Sequence, residues 1–159
     1  MSSKLTHLDK DGHARMVDVG SKSETRRTAI ARADVITLPE TLEAVIEGTV
    51  SKGDVLAAAR IAGIFGGKKT SDLIPLTHPI AIDSLKVDLT PDKSLPGVRI
   101  EATVSTHGKT GVEMEALTAV TISALTIYDM LKSMDRGIRI ENVRLTFKEG
   151  GKSGTFKAE

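Results

Sequence analysis

The sequence predicts an α+β fold, an antiparallel sheet with helices packed on one of its faces. Three observations carry this. Residues 112–134 contain no Pro or Gly and are apolar on nearly all sides, which calls for a buried helix of about six turns. Residues 25–38, 82–89, 98–105 and 138–147 have the β-branched content and length of strands. The elements follow one another as strand, helix, helix, strand, strand, long helix, strand.

Residues 1–14 are polar, with Gly12 and scattered charge, and read as a flexible lead-in. Met16-Val17-Asp18-Val19 alternates and is broken by Gly20-Ser21, the pattern of a short strand or an extended arm. The first full strand, 25–38, contains Ala29-Ile30-Ala31 and Val35-Ile36. Pro39 suits a helix first turn, and Leu42, Val45 and Ile46 followed by Gly48 complete a short helix.

A second helix should run from Gly53 or Asp54 to about Phe65, burying Val55, Leu56, Ala58, Ala59, Ile61 and Ala62. Gly66-Gly67 should then stop or loosen it, at about 1 kcal/mol per interior glycine. Residues 72–79 read as irregular. A loop containing Pro91 and Pro96-Gly97 should join the next two strands, and residues 149–159 form a Gly-rich, flexible tail. Together this is a split β-α-β, or ferredoxin-like, arrangement with one extra helix. Helices on one face leave the other face needing cover, so a homo-oligomer is expected.

Composition narrows the function. A chain of 159 residues fits one domain, 1–159. Aromatics at 3% with no Trp give few stacking platforms, and a net charge of +1 is too small for a general nucleic-acid binder. Without Cys there are no disulfides or thiolate metal sites. The N-terminus is charged, with no signal peptide or spanning segment, so cytoplasm and no membrane partner are the default.

The charges of the long helix are its anomaly. Glu113 and Glu115 stand at its start, where the dipole favours anions, and Lys132 at its end, where it favours cations; Asp129 lies where it is disfavoured. Glu115, Thr118 and Asp129 share nearly one face. Yet fourteen residues separate Glu115 from Asp129, roughly 21 Å of helix. Either a long ligand spans them, or an antiparallel copy brings one chain's Asp129 near its partner's Glu115. The plain alternative is an i,i+3 pair of Asp129 with Lys132.

Leu76-Thr77-His78 lies between Pro75 and Pro79. Each proline fixes its own φ and pushes the preceding residue towards extended backbone, so a tripeptide pinned at both ends is pre-organised for a ligand. His78 is the one histidine so placed; His7 and His13 lie in the lead-in and His107 in a turn. Packing in the core or capping a helix is the alternative for it. Gly150-Gly151-Lys152-Ser153 looks like the end of a P-loop, but the motif's first Gly would fall at Thr146 and no apolar helix follows, so a P-loop is rejected. Lys148 and Lys152 on a flexible chain can still fold over an anion. Lys52, just before Gly53-Asp54, can hold phosphate or act as a base. Lys22, Arg26 and Arg27 have the same ambiguity between ligand contact and solvated surface. No two His with carboxylates stand at metal-ligand spacing, so no protein-held metal is expected.

Several runs together resemble one family. They are Met16-Val17-Asp18-Val19, Lys52-Gly53-Asp54-Val55, Leu73-Ile74-Pro75-Leu76-Thr77-His78-Pro79, Gly108-Lys109-Thr110-Gly111-Val112-Glu113-Met114-Glu115-Ala116, Ala124-Leu125-Thr126-Ile127-Tyr128-Asp129-Met130 and Gly150-Gly151-Lys152-Ser153-Gly154. In this order they look like the MoaC-type cyclic pyranopterin monophosphate synthases of molybdenum cofactor biosynthesis. Two departures are Thr77, where many members have Cys, and Gly66-Gly67, where many have Ala-Ala. The resemblance implies a lyase that converts the nucleotide-derived 3′,8-cyclo-7,8-dihydro-GTP to cyclic pyranopterin monophosphate, a pterin, and releases pyrophosphate. It implies Asp129 as catalytic acid/base, assisted by Lys52 and Lys132, with His78 also in the catalytic set. Leu76, Thr77, His78, Glu113, Met114 and Glu115 would hold base and sugar, and Lys22, Arg27, Lys148 and Lys152 the phosphates. No cofactor is implied beyond Mg²⁺ that could accompany the phosphates. A ferredoxin-like homohexamer built from dimers, with sites between subunits, is the implied assembly. The alternative function is a nucleotide-sensing regulatory domain that binds without turnover.

Overall fold

Alternation along the first strand decides where the core lies. In the computed structural model, which describes residues 8–158, β1 (Thr25–Ile36) directs Ala29, Ala31, Ala33 and Val35 to one side, where all four are fully buried. Directly opposite them on β3 (Gly97–Gly108) stand Val104, Ala102, Ile100 and Val98, equally buried. This is the period-2 pattern of a sheet with one apolar face.

Around it the chain adds α1 (Pro39–Glu47), α2 (Val55–Lys68), α3 (Thr70–Leu73), β2 (Ser84–Asp92), α4 (Glu113–Leu131), β4 (Arg139–Glu149) and β5 (Phe156–Lys157). The sheet order is β2-β3-β1-β4-β5, with every pairing antiparallel. Strand β3 lies between β1 and β2, and β4 on the far side of β1, which is the expected split β-α-β topology.

The second sheet face is charged. Arg32 bonds Glu101 across β1 and β3 at 2.6 Å, and Arg99 lies 3.5 Å from Asp34. On β2, Lys86 pairs with Asp88 at 2.8 Å. Cover on this side therefore has to meet ion pairs, which water also satisfies.

Helix α4 has 19 residues, about five turns rather than six. It packs between the sheet and α2, burying Ala116, Ala119, Val120, Ala124, Ile127 and Leu131. Among the described residues it is the one helix long and apolar enough to cross a membrane, and it is half-buried as a core helix. Asp135, 2% exposed, accepts from the Leu38 and Gly137 amides at 2.8 and 2.9 Å and ties the exit of α4 to the start of α1.

Several expectations need correction. Gly66 and Gly67 do not end α2, which runs on to Lys68. A Cβ on Gly66 would lie 2.6 Å from Ile122 Cγ1 and one on Gly67 2.4 Å from Leu85 Cδ1. Close approach of α4 and β2, not a stop, accounts for both. Ile61 is 55% exposed and not core, because α2 turns its Ala59 and Gly63 side to α4. Residues 16–19 form no strand and stand as an extended arm. The described part of the lead-in makes a Leu8–Ala14 bridge around a turn, whereas residues 1–7, His7 included, lie outside the described residues. The tail is not all loose: Phe156 and Lys157 pair with Lys148 and Phe147, and residue 159 lies outside the description. Residues 70–73 form α3. Pro91 lies within β2, an edge strand, where its missing N–H costs no ladder bond.

Candidate active site

The first group of candidate residues gathers at the start of α4, around a cavity of about 420 Å³. Three segments wall it: Val17, Val19 and Lys22 from the arm, Leu76, Thr77 and His78 from the proline-framed loop, and Thr110, Gly111, Glu113, Met114 and Glu115 from the entry to α4. Pre-organisation of the loop is visible in Thr77, whose hydroxyl donates to Ile74 O at 2.9 Å. His78 neither caps a helix nor sits in the core. It is half-buried, and its Nε2–H donates to Val17 O at 2.7 Å.

Glu115 is the exceptional group here. It is 3% exposed, and its Oε2 finds no hydrogen-bond partner among the described residues. Burial pushes its carboxyl up to about 7, and the neighbouring charge of Glu113 adds to the rise. An orphaned buried carboxyl facing a cavity is costly unless a ligand pairs with it.

Glu113 beside it is paired: Lys148 Nζ lies 3.0 Å from its Oε1. Arg27 donates from Nε to Gly108 O at 2.8 Å and from Nη2 to Lys109 O at 3.2 Å, bracing the loop that enters α4. The Gly150-Gly151 turn packs against it: a Cβ on Gly151 would fall 2.3 Å from Arg27 Nη1. Neither Lys148 nor Arg27 lines the cavity: Lys148 meets it through Glu113 and Arg27 braces the loop before Thr110, whereas Lys152 stands exposed on the following turn.

The second group lies at the other end of α4. Lys52, in the turn before α2, donates from Nζ to Asp129 O at 2.7 Å and lies 3.5 Å from Asp129 Oδ2. Lys132 Nζ lies 2.7 Å from Oδ1 of the same carboxylate. The Lys132 hydrogen bond and charge, joined by the charge of Lys52, hold the Asp129 carboxyl below the usual range; Asp129 in turn raises Lys132. The arrangement is a carboxylate bracketed by two amino groups, all three at the surface of the single chain. Lys52 and Lys132 share a second hollow, of about 410 Å³, with Tyr128, Ser133 and Arg136. Sequence reasoning missed Arg136, which lies in the turns beyond the end of α4, where no helical spacing ties it to Lys132.

The MoaC family model matches residues 16–151, which includes every residue of both groups except Lys152. The chain belongs to the MoaC family. It is 60% identical over 157 residues to a cyclic pyranopterin monophosphate synthase of Dinoroseobacter shibae, covering 99% of each chain. The enzyme of the same name from Methylobacterium nodulans is 56% identical, with 98% of this chain and 97% of the relative covered. That from a Nostoc species is also 56% identical, with 98% and 92% covered. A ferredoxin protease in complex with Arabidopsis ferredoxin matches at TM-score 0.31 and 12% identity, over 68% of this chain and 10% of its own, a likeness too slight to carry an argument.

In this MoaC-family chain the two groups share a helix but not a pocket. Glu115 and Asp129 are fourteen residues apart, roughly 21 Å along the axis of α4. Among the described residues one set of metal-ligand type, Asp9, Asp11 and His13, has its ligand atoms within 4.8 Å. The Asp9 carboxylate there already accepts from the Asp11 and His13 amides at 2.9 and 2.8 Å, as a turn does.

Proposed function

We infer that this chain is a lyase with cyclic pyranopterin monophosphate synthase function in molybdenum cofactor biosynthesis. Its substrate is the GTP-derived 3′,8-cyclo-7,8-dihydro-GTP, and pyrophosphate leaves as the cyclic phosphate closes. The rearrangement opens the imidazole ring, closes a pyran and involves no redox change, so it needs proton transfers and charge neutralisation. The observation that carries the chemical half of this reading is the convergence of Lys52 and Lys132 on Asp129. Asp129, held as a carboxylate, takes a proton; Lys132, held as an ammonium, gives one and steadies developing negative charge.

The cavity at the start of α4 takes the base and sugar. Its Glu115 carboxyl, without a partner of its own, suits the N–H groups of a guanine-derived ring. Lys22, Lys148 and Arg27 stand on the side from which a triphosphate can be met, with Lys152 on the turn beyond. Because no one chain brings Glu115 to Asp129, the working pocket combines the start of one α4 with the end of a partner's. Ile61, Phe65 and Leu125, at least half exposed on α2 and α4, supply apolar surface for such a contact. A cytoplasmic homohexamer built from dimers is the assembly this reading adopts.

The test is pyrophosphate release from the cyclised GTP intermediate by wild type and by Asp129→Asn. Wild-type release that the substitution abolishes is expected. Tight binding of the intermediate without release by wild type would make the chain a nucleotide sensor and overturn the reading.

A further inference from the structure

We propose that Lys109 is a positioning residue that latches the arm of residues 16–22 against the cavity, making the arm a wall of the substrate pocket. This rests on the cavity at the start of α4 being the substrate site. The arm belongs to no strand, so no ladder of backbone bonds fixes it. Even so it has an inner and an outer side. Val17 and Val19 are half-buried and line the cavity, while Met16, Asp18 and Gly20 face outward.

Two side chains hold it from the body of the protein. His78 Nε2–H donates to Val17 O at 2.7 Å, and Lys109 Nζ donates to Gly20 O at 2.9 Å. Gly20 lies in the middle of a tight turn, which the Lys22 amide closes by donating to Val19 O at 3.1 Å and the Asp18 carboxylate stabilises by accepting from the Gly20 amide at 2.8 Å. Holding the central carbonyl of that turn sets where Lys22 stands over the cavity. Lys109 is itself braced, since Arg27 binds its carbonyl and that of Gly108. The line Arg27, Lys109, Gly20, Lys22 therefore runs from the rigid β1 strand to a cation on the pocket wall. Lys109 does not itself line the cavity, so its effect is on binding through the arm and not on the chemistry.

The experiment reads the arm directly and then its consequence. In the free protein, amide exchange over residues 17–22 followed by mass spectrometry should be about tenfold faster in Lys109→Ala, the loss of one charge-assisted hydrogen bond. Lys109→Arg should restore slow exchange. Steady-state pyrophosphate release should show KM raised by a similar factor at unchanged kcat, again rescued by Arg. Wild-type exchange in Lys109→Ala overturns the latch, as does a fall in kcat with KM unchanged. Should wild type release no pyrophosphate, the proposed function fails, and the exchange experiment still decides whether Lys109 holds the arm.

Discussion

Lys52 reaches from the turn before α2 to the last turns of α4, where its Nζ stands 2.7 Å from Asp129 O and 3.5 Å from Asp129 Oδ2. One lysine thus satisfies a carbonyl that the helix end leaves without an intrahelical partner and also flanks the carboxylate. Lys52→Ala should bind the cyclised intermediate nearly as well as wild type but convert it slowly. A fall in kcat of about 10²–10⁴ is the range for removing a positioned proton-transfer group. Single-turnover kinetics with a separate binding measurement checks this, and equal turnover would remove Lys52 from the site.

Asp129 gives a pH prediction of definite sign. Lys132 and Lys52 lower its carboxyl from the ordinary value, so the carboxylate persists as pH falls and is protonated only below the usual carboxylate range. If Asp129 is the base, its limb of the kcat profile should lie on the acid side, below the ordinary carboxylate value. Replacing Lys132 by Met should shift that limb upward towards the ordinary value. A limb unmoved by Lys132→Met would show that another group sets it.

Glu115 shifts in the opposite sense. The native carboxyl titrates near 7, against an ordinary value of 4.5. Between these values the folded chain keeps a proton that the unfolded chain has released. Stability is therefore greatest below the unfolded value and is lost as pH rises to and through 7, by roughly 3 kcal/mol in all. Glu115→Gln retains the shape without ionising. Its Tm should match wild type near about pH 4 and exceed it by several degrees near about pH 8. Equal Tm at the higher pH would mean that the carboxylate has found a partner.

How much of this could be read from the chain depends on the range of the forces involved. The alternation of β1 and β3, the Pro39 start and Gly48 end of α1, and the proline frame of Leu76-Thr77-His78 are local, and local pattern revealed them. Strand β5 is only Phe156 and Lys157, and it forms through backbone pairing with β4 that no periodicity announces. Gly66-Gly67 misled because propensity treats glycine as a stop, whereas here Ile122 and Leu85 occupy the space a Cβ would need. The contact of Lys52 with Asp129 spans 77 residues and needed the family resemblance to be suspected. The Lys109–Gly20 contact, across 89 residues, had no signal at all.

The glycines of α2 give a stability test. A Cβ on Gly63 would lie 2.1 Å from Ser123 Oγ and 2.9 Å from Ala119 O. It would disturb the bond from Ser123 Oγ to Ala59 O, 2.9 Å long and buried between the helices. Gly63→Ala should cost about 1–2 kcal/mol net, overpacking outweighing the better helix propensity. Gly67 meets the far end of the Leu85 side chain, which can turn aside, and backbone no nearer than Glu115 O at 3.3 Å, so Gly67→Ala should lie within about 1 kcal/mol of neutral. Urea denaturation midpoints distinguish the two; a Gly67→Ala destabilised beyond that would show that Leu85 cannot yield.

The assembly is tested by complementation. If each pocket takes Glu115 from one chain and Asp129 from its partner, Glu115→Ala and Asp129→Ala are each inactive alone, because every pocket lacks one group. A mixed dimer then holds one pocket with both groups intact and one with neither. Random exchange of equal amounts makes half the dimers mixed, so about a quarter of all pockets become wild type, as two-fold symmetry requires. Pyrophosphate release should recover to about that fraction after denaturation and joint refolding, with mixed oligomers verified by mass spectrometry. If both groups instead served one pocket within a single chain, each mixed pocket would still lack one of them. Verified mixed oligomers with no recovered activity would therefore place the two carboxylates in separate roles and overturn the shared pocket.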